Sequence, residues 1–424
     1  MTVSESRRSR RQKKQRGLFT QTLMLAAGTG LGQVIVAVMY IWTARSVGPE
    51  ELGPTVAAIG IGTTLAGFLD FGSNNLWVRE SAASRMNSRT LGHRLTAKLA
   101  VGFLALSCWC FGLQAFAPES MLWIAGPIGW SVLVSQSFAV PLRAAARLDL
   151  VAISMLTDRV VAGGVFVIFN MLSLSTVFAL WGSLTIGPIA ASVMSRWVLG
   201  RTLRPRLRLS FRTNPWNKSG YYGLSSAAVS AQSLDLSIMS MVGGPAAAGL
   251  YGAVNRWTQP MSLLAGAFTT SAAPLVARHD SWAAAWPHLR RSASLVLVAV
   301  FMCVSVAIFA DPIVGLLVGA EYRGSGNILR ILALGTIGAV LNQPLAAFLQ
   351  ALGRDRAVSV ITMTGVAVQL LLVAFLTWQA GAAGAALAYC VLQLVILMLL
   401  AIMIRGTRTP RIIIGRHSSR AAIR

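Results

Sequence analysis

Apolar runs of twenty or more residues alternate with short polar segments along the whole of this 424-residue chain. A bilayer core about 30 Å thick takes roughly 20 apolar residues in helical form. Twelve such helices are read, at about 18–44, 53–78, 96–116, 121–142, 149–172, 175–195, 219–243, 246–277, 292–317, 325–350, 357–378 and 382–404. The last two are separated by length alone. Residues 357–404 carry no charge, and as one helix they would run about 72 Å at 1.5 Å per residue. The chain must turn back, and the Gly- and Ala-rich stretch from Gln379 to Gly384 is the expected place. Some edges are soft, so eleven or thirteen spans stay open.

Charge orients these spans. Lys and Arg gather on every second connection, and positive charge resists translocation. With the N-terminus placed inside, only Arg45 and Arg323 of the 37 basic residues fall outside, and Arg159, Arg256 and Arg330 fall within spans. The remainder lie on inner segments. The expected class is therefore an all-α polytopic membrane protein, with about twelve transmembrane helices in two six-helix lobes around a central cavity and both termini cytoplasmic. Its parts are a basic tail (1–17), an N-terminal lobe (18–200), a basic cytoplasmic linker (201–218), a C-terminal lobe (219–404) and a second basic tail (405–424).

Composition narrows the class further. A mean hydropathy of +0.64 and 12% charged residues exclude an ordinary soluble domain, in which charged residues run near 25%. The net charge of +24 invites a nucleic-acid partner, but the basic residues are dispersed over one side, as insertion and anionic headgroups explain. The run from Arg7 to Arg16 reads as an inner anchor, and the apolar stretch after it is too long for a signal peptide. Cys108, Cys110, Cys303 and Cys390 lie in spans and read as small packing residues. His93, His279, His288 and His417 fall on inner loops or the tail, so no helix-borne metal site is expected. No nucleophile or nucleotide-binding motif is present. Neither catalysis nor a cofactor is expected.

The two halves carry a repeat. Gly48-Pro49 with Gly53 follows the first span, and Gly244-Pro245 with Gly249 follows the seventh, both reading G-P-x-x-x-G. Leu76 to Arg79 and Leu275 to Arg278 form a second matched pair. Equivalent placement supports duplicated lobes related by an axis along the membrane normal. Pro127, Pro141, Pro188, Pro260, Pro274 and Pro344 punctuate spans, as kinks or as ordinary membrane-helix architecture.

Charges within spans are the informative residues. One at the bilayer centre costs at least about 2.5–3.5 kcal/mol, so it usually faces the bundle interior or a wet cavity. Arg159 and Arg256 sit near the midplane in opposite lobes, where a cleft could bring them face to face. Two guanidinium groups suit an anionic headgroup, because each offers bidentate donors to phosphate. The competing reading pairs them with acids such as Asp158 or Asp235. Asp235, Asp158 and Asp70 are possible ion-coupling or structural acids.

The stretch from Thr43 to Gly53 resembles the A-R-x-L-G-P-E-E-Y-G signature of bacterial polysaccharide flippases. These form the Wzx-like branch of the multidrug/oligosaccharidyl-lipid/polysaccharide exporter (MOP) superfamily. The likeness continues through Asp70-Phe71-Gly72, Arg79-Glu80, Leu234-Asp235 with Ala248 to Tyr251 and Arg256, Gly319 to Tyr322, and Ala351 to Arg354. Leu52 replaces a frequent aromatic. The resemblance implies a V-shaped pair of six-helix lobes working by alternating access. It further implies an undecaprenyl-diphosphate-linked oligosaccharide as substrate and residence in the bacterial plasma membrane. The partners it implies are the phospholipid bilayer and, in the same pathway, a polysaccharide polymerase and glycosyltransferases. A cation-coupled exporter of small organic molecules is the first alternative. An integral-membrane glycan polymerase is the second, disfavoured by outer loops too short to hold an acidic catalytic pair.

Overall fold

The computed structural model describes residues 27–82, 85–145, 147–199, 205, 207–208, 213–258, 260–262, 264–266, 268–269, 294–322, 324–351 and 354–405. Among them the chain is helical throughout and has no strand. The helices are α1 (Ala27–Ser46), α2 (Pro49–Asp70), α3 (Ser73–Ala82), α4 (Ser88–Phe116), α5 (Ala125–Phe138), α6 (Val140–Ala144), α7 (Leu148–Met171) and α8 (Thr176–Val198). They continue as α9 (Gly220–Ala231), α10 (Asp235–Gly243), α11 (Pro245–Asn255), α12 (Ser294–Ile308), α13 (Ala310–Leu317), α14 (Ser325–Ala351) and α15 (Asp355–Arg405).

Eight described helices are long and apolar enough to cross a membrane, and α12 with α13, bent by 73°, makes a ninth. The 51-residue α15 is two crossings: Ala380 and Gly381 leave helical geometry, with Gly381 at φ 58°. This is the turn expected between Gln379 and Gly384. A 3-10 turn at Gln232–Leu234 joins α9 to α10 into one further crossing. The eighth crossing is described from Pro245 as far as residue 269, where Pro260 is helical. Pro274, His279, His288, His417 and the Leu275 to Arg278 repeat lie outside the described residues.

The second expected span is corrected. Read as continuous over 53–78, it starts earlier, at Pro49, and stops at Asp70. Proline suits the first helical position, where its missing N–H has no partner to lose, and Glu50 and Glu51 complement the positive helix end. The stop has a local cause. Phe71 adopts left-handed geometry at φ 44° and Gly72 follows at φ 65°. Asp70 Oδ1 then accepts from Ser73 Oγ at 3.0 Å and from the Asn74 N–H at 3.3 Å, starting α3 afresh. The third span also begins earlier than expected, because Asn87 caps Thr90 and a polar first turn precedes the apolar run. His93 and Lys98, counted with an inner loop, therefore stand on helix α4.

Both halves use the same packing. The first crossing lies on the fifth: Gly28 of α1 meets Ala152 of α7, and Gly163 of α7 meets Ile35. Likewise α9 and α10 lie on α15, where Gly243 meets Thr377. Between the halves, α2 is the central strut, touching α9, α10 and α11. Here the repeated motifs meet each other. A Cβ on Gly53 would collide with the Pro245 carbonyl, and a Cβ on Gly249 would collide with the Pro49 carbonyl. Each motif's second glycine is seated on the other's proline, the reciprocal contact that a two-fold relation produces.

This motif end of the molecule is held shut. Arg45 donates to the carbonyl oxygens of Leu316 and Leu317. Tyr322 donates to the Val47 carbonyl at 3.1 Å, and Ser325 to that of Leu250 at 2.9 Å. Burial and the neighbouring Glu321 raise the Tyr322 phenol well above its ordinary range, so it keeps its proton as a donor. At the opposite, linker end, Trp216 donates from Nε1 to the Leu69 carbonyl at 2.9 Å, and the Phe71 ring covers Gly223.

Candidate functional site

A cavity of about 390 Å³ opens on the face of α2 turned away from α9. It falls in the size range of small-ligand sites. One face of the fourth crossing forms its long wall: Ile128, Val132, Ser135, Gln136, Ala139 and Arg143 follow one another toward the linker end. The inner half of α7 faces it with Val151, Ser154, Asp158 and Arg159, and α1 and α2 supply Gln33, Val36, Ile59 and Thr63. Among the described residues of the second half, Arg256 alone lines it.

The two arginines expected at the midplane are thus brought to one cavity from opposite halves. Arg256 makes no ion pair or hydrogen bond with any described residue; its guanidinium lies 5.3 Å from the Tyr40 ring centre. Stacking on an aromatic face leaves the planar fork available to an anion. Arg159 stands 3.8 Å from Asp158 Oδ1, an ion pair too long to be a hydrogen bond. Its stem crosses Gly32 so closely that a Cβ there would lie 2.7 Å from Arg159 Cγ. Asp158 is mostly buried, and its Oδ1 has no hydrogen bond. A Cβ on Gly187 would stand 2.6 Å from that oxygen.

The other two acids lie elsewhere. Asp235 is 8% exposed and does not line the cavity. Its Oδ1 accepts the Leu236 N–H at 2.7 Å and its Oδ2 the Tyr251 hydroxyl at 3.5 Å. Arg256 and Asp235, whose pairing was one of the two readings left open by the sequence, make no direct ion pair, although the Arg256 charge lies near enough to act on the Asp235 carboxylate. Asp70 belongs to a closed network instead. Lys98, fully buried, donates to Asp70 Oδ1 at 2.7 Å, Asn74 Oδ1 at 2.8 Å and Ser73 Oγ at 3.1 Å, and lies 4.3 Å from the Trp77 ring centre. All three ammonium donors are used, so Asp70 has a structural partner.

Sequence reasoning missed three features. Arg143 was read as a loop residue one position past a span; the short helix α6 turns it into the cavity. Gln33 and Gln136 carry no charge and stood out in no way. Spacing along 128, 132, 136, 139 and 143 was the available signal, since i, i+4 and i+7 share a helix face. Among the described residues no group of His, Cys, Asp and Glu is arranged to hold a metal ion.

No protein-family model matches the chain, and no curated protein does. Solved structures do match. A multidrug-resistance MATE family transporter of the MOP superfamily, in an inward-facing conformation, aligns at TM-score 0.64 with 14% identity, over 88% of this chain and 94% of that one. The lipid II flippase MurJ, in an inward closed conformation, aligns at TM-score 0.68 with 12% identity, over 90% and 87%. A MOP superfamily transporter from Pyrococcus furiosus, described as having a binding pocket of reverse polarity, aligns at 0.59 with 13% identity, over 93% and 97%. The chain therefore has the fold of the MOP superfamily, a multi-pass membrane fold that its neighbours use as transporters and flippases. The fold expected from the flippase resemblance read in the sequence agrees with this.

Proposed function

We propose that this protein is a flippase that moves an undecaprenyl-diphosphate-linked oligosaccharide from the inner to the outer leaflet of a bacterial plasma membrane, for surface or exopolysaccharide synthesis. One observation carries the reading: Arg143, Arg159 and Arg256 face a single cavity whose described lining holds one acid, Asp158, and Arg256 makes no ion pair or hydrogen bond with any described residue. An unpaired guanidinium held at membrane depth is expensive. A diphosphate would take its bidentate donors. Alternating access would then close the linker end and open the motif end, carrying sugar and phosphate across while the lipid tail stays in the bilayer. The linker end is the cytoplasmic one on the charge asymmetry of the loops. A polymerase and glycosyltransferases would act downstream and upstream.

A second reading has its own observation. Asp158 lines the cavity with its Oδ1 buried and without a hydrogen bond, and an unsatisfied acid of this kind in a MATE-like fold would suit a cationic drug. Reconstitution separates the two. Proteoliposomes containing the purified chain should move undecaprenyl-diphosphate-linked oligosaccharide to the far leaflet, read by periodate or lectin accessibility, and Arg256→Ala should abolish the transfer. Uptake of organic cations driven by an ion gradient, with no lipid-linked sugar moved, would establish the exporter and overturn the flippase.

A further inference from the structure

The cavity is tiered, and the tiers have different chemistry. Distances along the helices, counted from the motif end at about 1.5 Å per residue, order its lining. Arg256 lies about 16 Å from the start of α11, and Arg159 about 18 Å from the end of α7. Gln33 lies about 20 Å from the end of α1, and Ser135 and Gln136 about 21–23 Å beyond Met121. By this count the backbones of the neutral groups stand about 2–7 Å nearer the linker end than those of the deep arginines, up to the width of one sugar ring. Arg143 follows about 10 Å further on, at the mouth.

Gln33, Ser135 and Gln136 all face the cavity, and none of their side chains has a hydrogen-bond partner among the described residues. Gln33 is half-buried and Gln136 exposed to the cavity, whereas the buried Asn342 donates to the Gln393 side chain and backbone, both at 2.9 Å. An amide offers donors and an acceptor side by side, and a hydroxyl offers both, which matches the vicinal hydroxyls of a sugar. An apolar ligand would leave all three unpaired, and sites built to hydrogen-bond reject such ligands strongly.

We propose that Gln33, Ser135 and Gln136 read the sugar joined directly to the diphosphate while Arg159 and Arg256 hold the diphosphate itself. This deepens the flippase reading and rests on it. A cavity of about 390 Å³ holds the diphosphate and the first sugar; the rest of the glycan extends past Arg143 into the aqueous mouth. Selectivity is therefore set by the reducing-end sugar and is indifferent to the distal repeat.

The test is equilibrium binding to the purified full chain in detergent. The probes are bare undecaprenyl diphosphate and undecaprenyl diphosphate bearing one gluco-, galacto- or manno-configured hexose or N-acetylhexosamine. Wild type should prefer at least one glycosyl lipid over the bare lipid by about tenfold or more, the value of one or two net hydrogen bonds. Gln33→Leu and Gln136→Leu should each bring that ratio close to one, with binding of the bare lipid reporting an intact fold. Arg256→Gln should weaken both lipids alike. A wild-type preference that survives both leucine variants overturns the proposal, as does a wild type that prefers no glycosyl lipid. Failure of wild type to bind any of these lipids overturns the flippase reading itself.

Discussion

The two halves of this protein share a packing plan and differ in what they do with polar groups. In the first half, α1, α2, α5, α6, α7 and α8 stand around an open cavity, and the charges that line it, unlike the closed Asp70–Lys98 pair, have weak partners or none among the described residues. In the described part of the second half, interior polar groups face one another. Asn342 and Gln393 bond to each other, Gln232 reaches Gln369 at 3.5 Å, and Asp235 is held by Tyr251 and its own helix. Neutral amides that bond to one another keep a helix pair rigid at little cost, even though Asn342 Oδ1 itself has no partner. Unsatisfied guanidinium groups do the opposite and wait for a counter-charge. The same backbone arrangement thus makes one half a binding wall and the other a rigid body against which it can move, with Arg256 as the second half's contribution to the wall among the described residues.

The first half also contains the deepest charge in the molecule, and there the contrast can be broken most forcefully. Lys98 is fully buried and makes three hydrogen bonds to Asp70, Ser73 and Asn74. Removing one partner of a buried pair costs about 3–5 kcal/mol, because the other charge is stranded. Lys98→Met should sharply lower melting temperature and abundance in the membrane, and Lys98→Met with Asp70→Asn should recover part of the loss. A single variant as stable as wild type would mean that this network is ornamental and that the halves do not differ as described.

Reciprocity at the seam between the halves is the next test. Gly53 and Gly249 each face the other motif's proline carbonyl with no room for a methyl group. Backbone cannot swing aside as a side chain can, so Gly53→Ala and Gly249→Ala should each destabilise by about 1–3 kcal/mol, the usual range for overpacking. The double variant should lose less than the sum, because the first substitution already parts the helices. The first glycines of the motifs should behave unequally. Gly244 sits at φ 85° and Gly48 at φ −71°, so Gly244→Ala is strained and Gly48→Ala is not. Melting curves of the four single variants and the double variant decide this, and full additivity would show that the two glycines do not share one contact.

Those glycines also mark how far the sequence could be read. The twelve apolar runs, the turn at Ala380-Gly381 and the arrival of Arg159 and Arg256 at one cavity follow from length, charge and depth, all of which are local to the chain. The G-P-x-x-x-G repeat was visible as a pattern, but its meaning was not: only the fold brings residues almost two hundred positions apart into contact. Identical spelling also hid the different backbone angles of Gly48 and Gly244. The break at Phe71 was illegible for another reason. It is set by Asp70 capping the helix that follows, and that Asp is affordable in a membrane only because Lys98 arrives from the next crossing. Arg143 was missed because a span boundary was drawn one residue too early, and the helix face it shares with Ile128 and Gln136 was given less weight than its charge.

The smallest stability effect is expected at the residue with the largest functional one. Arg256 has no ion pair or hydrogen bond to lose, and shares its cavity with two other cations. Replacing it by Gln removes a contact with the Tyr40 ring, worth about 0.5–1 kcal/mol where solvent reaches the pair, and a longer-range attraction to Asp235, and relieves repulsion from Arg159, which acts in the opposite direction. The melting temperature of Arg256→Gln should therefore stay within the scatter of ordinary surface substitutions, about 0.5 kcal/mol either way. Addition of undecaprenyl diphosphate should raise the melting temperature of wild type, since a ligand that binds only the folded state stabilises it by mass action. The rise should be lost in Arg256→Gln. If instead the apo variant melts several degrees below wild type, Arg256 is a packing residue of the second half, and the division between a binding wall and a rigid body disappears at the one residue that joins them.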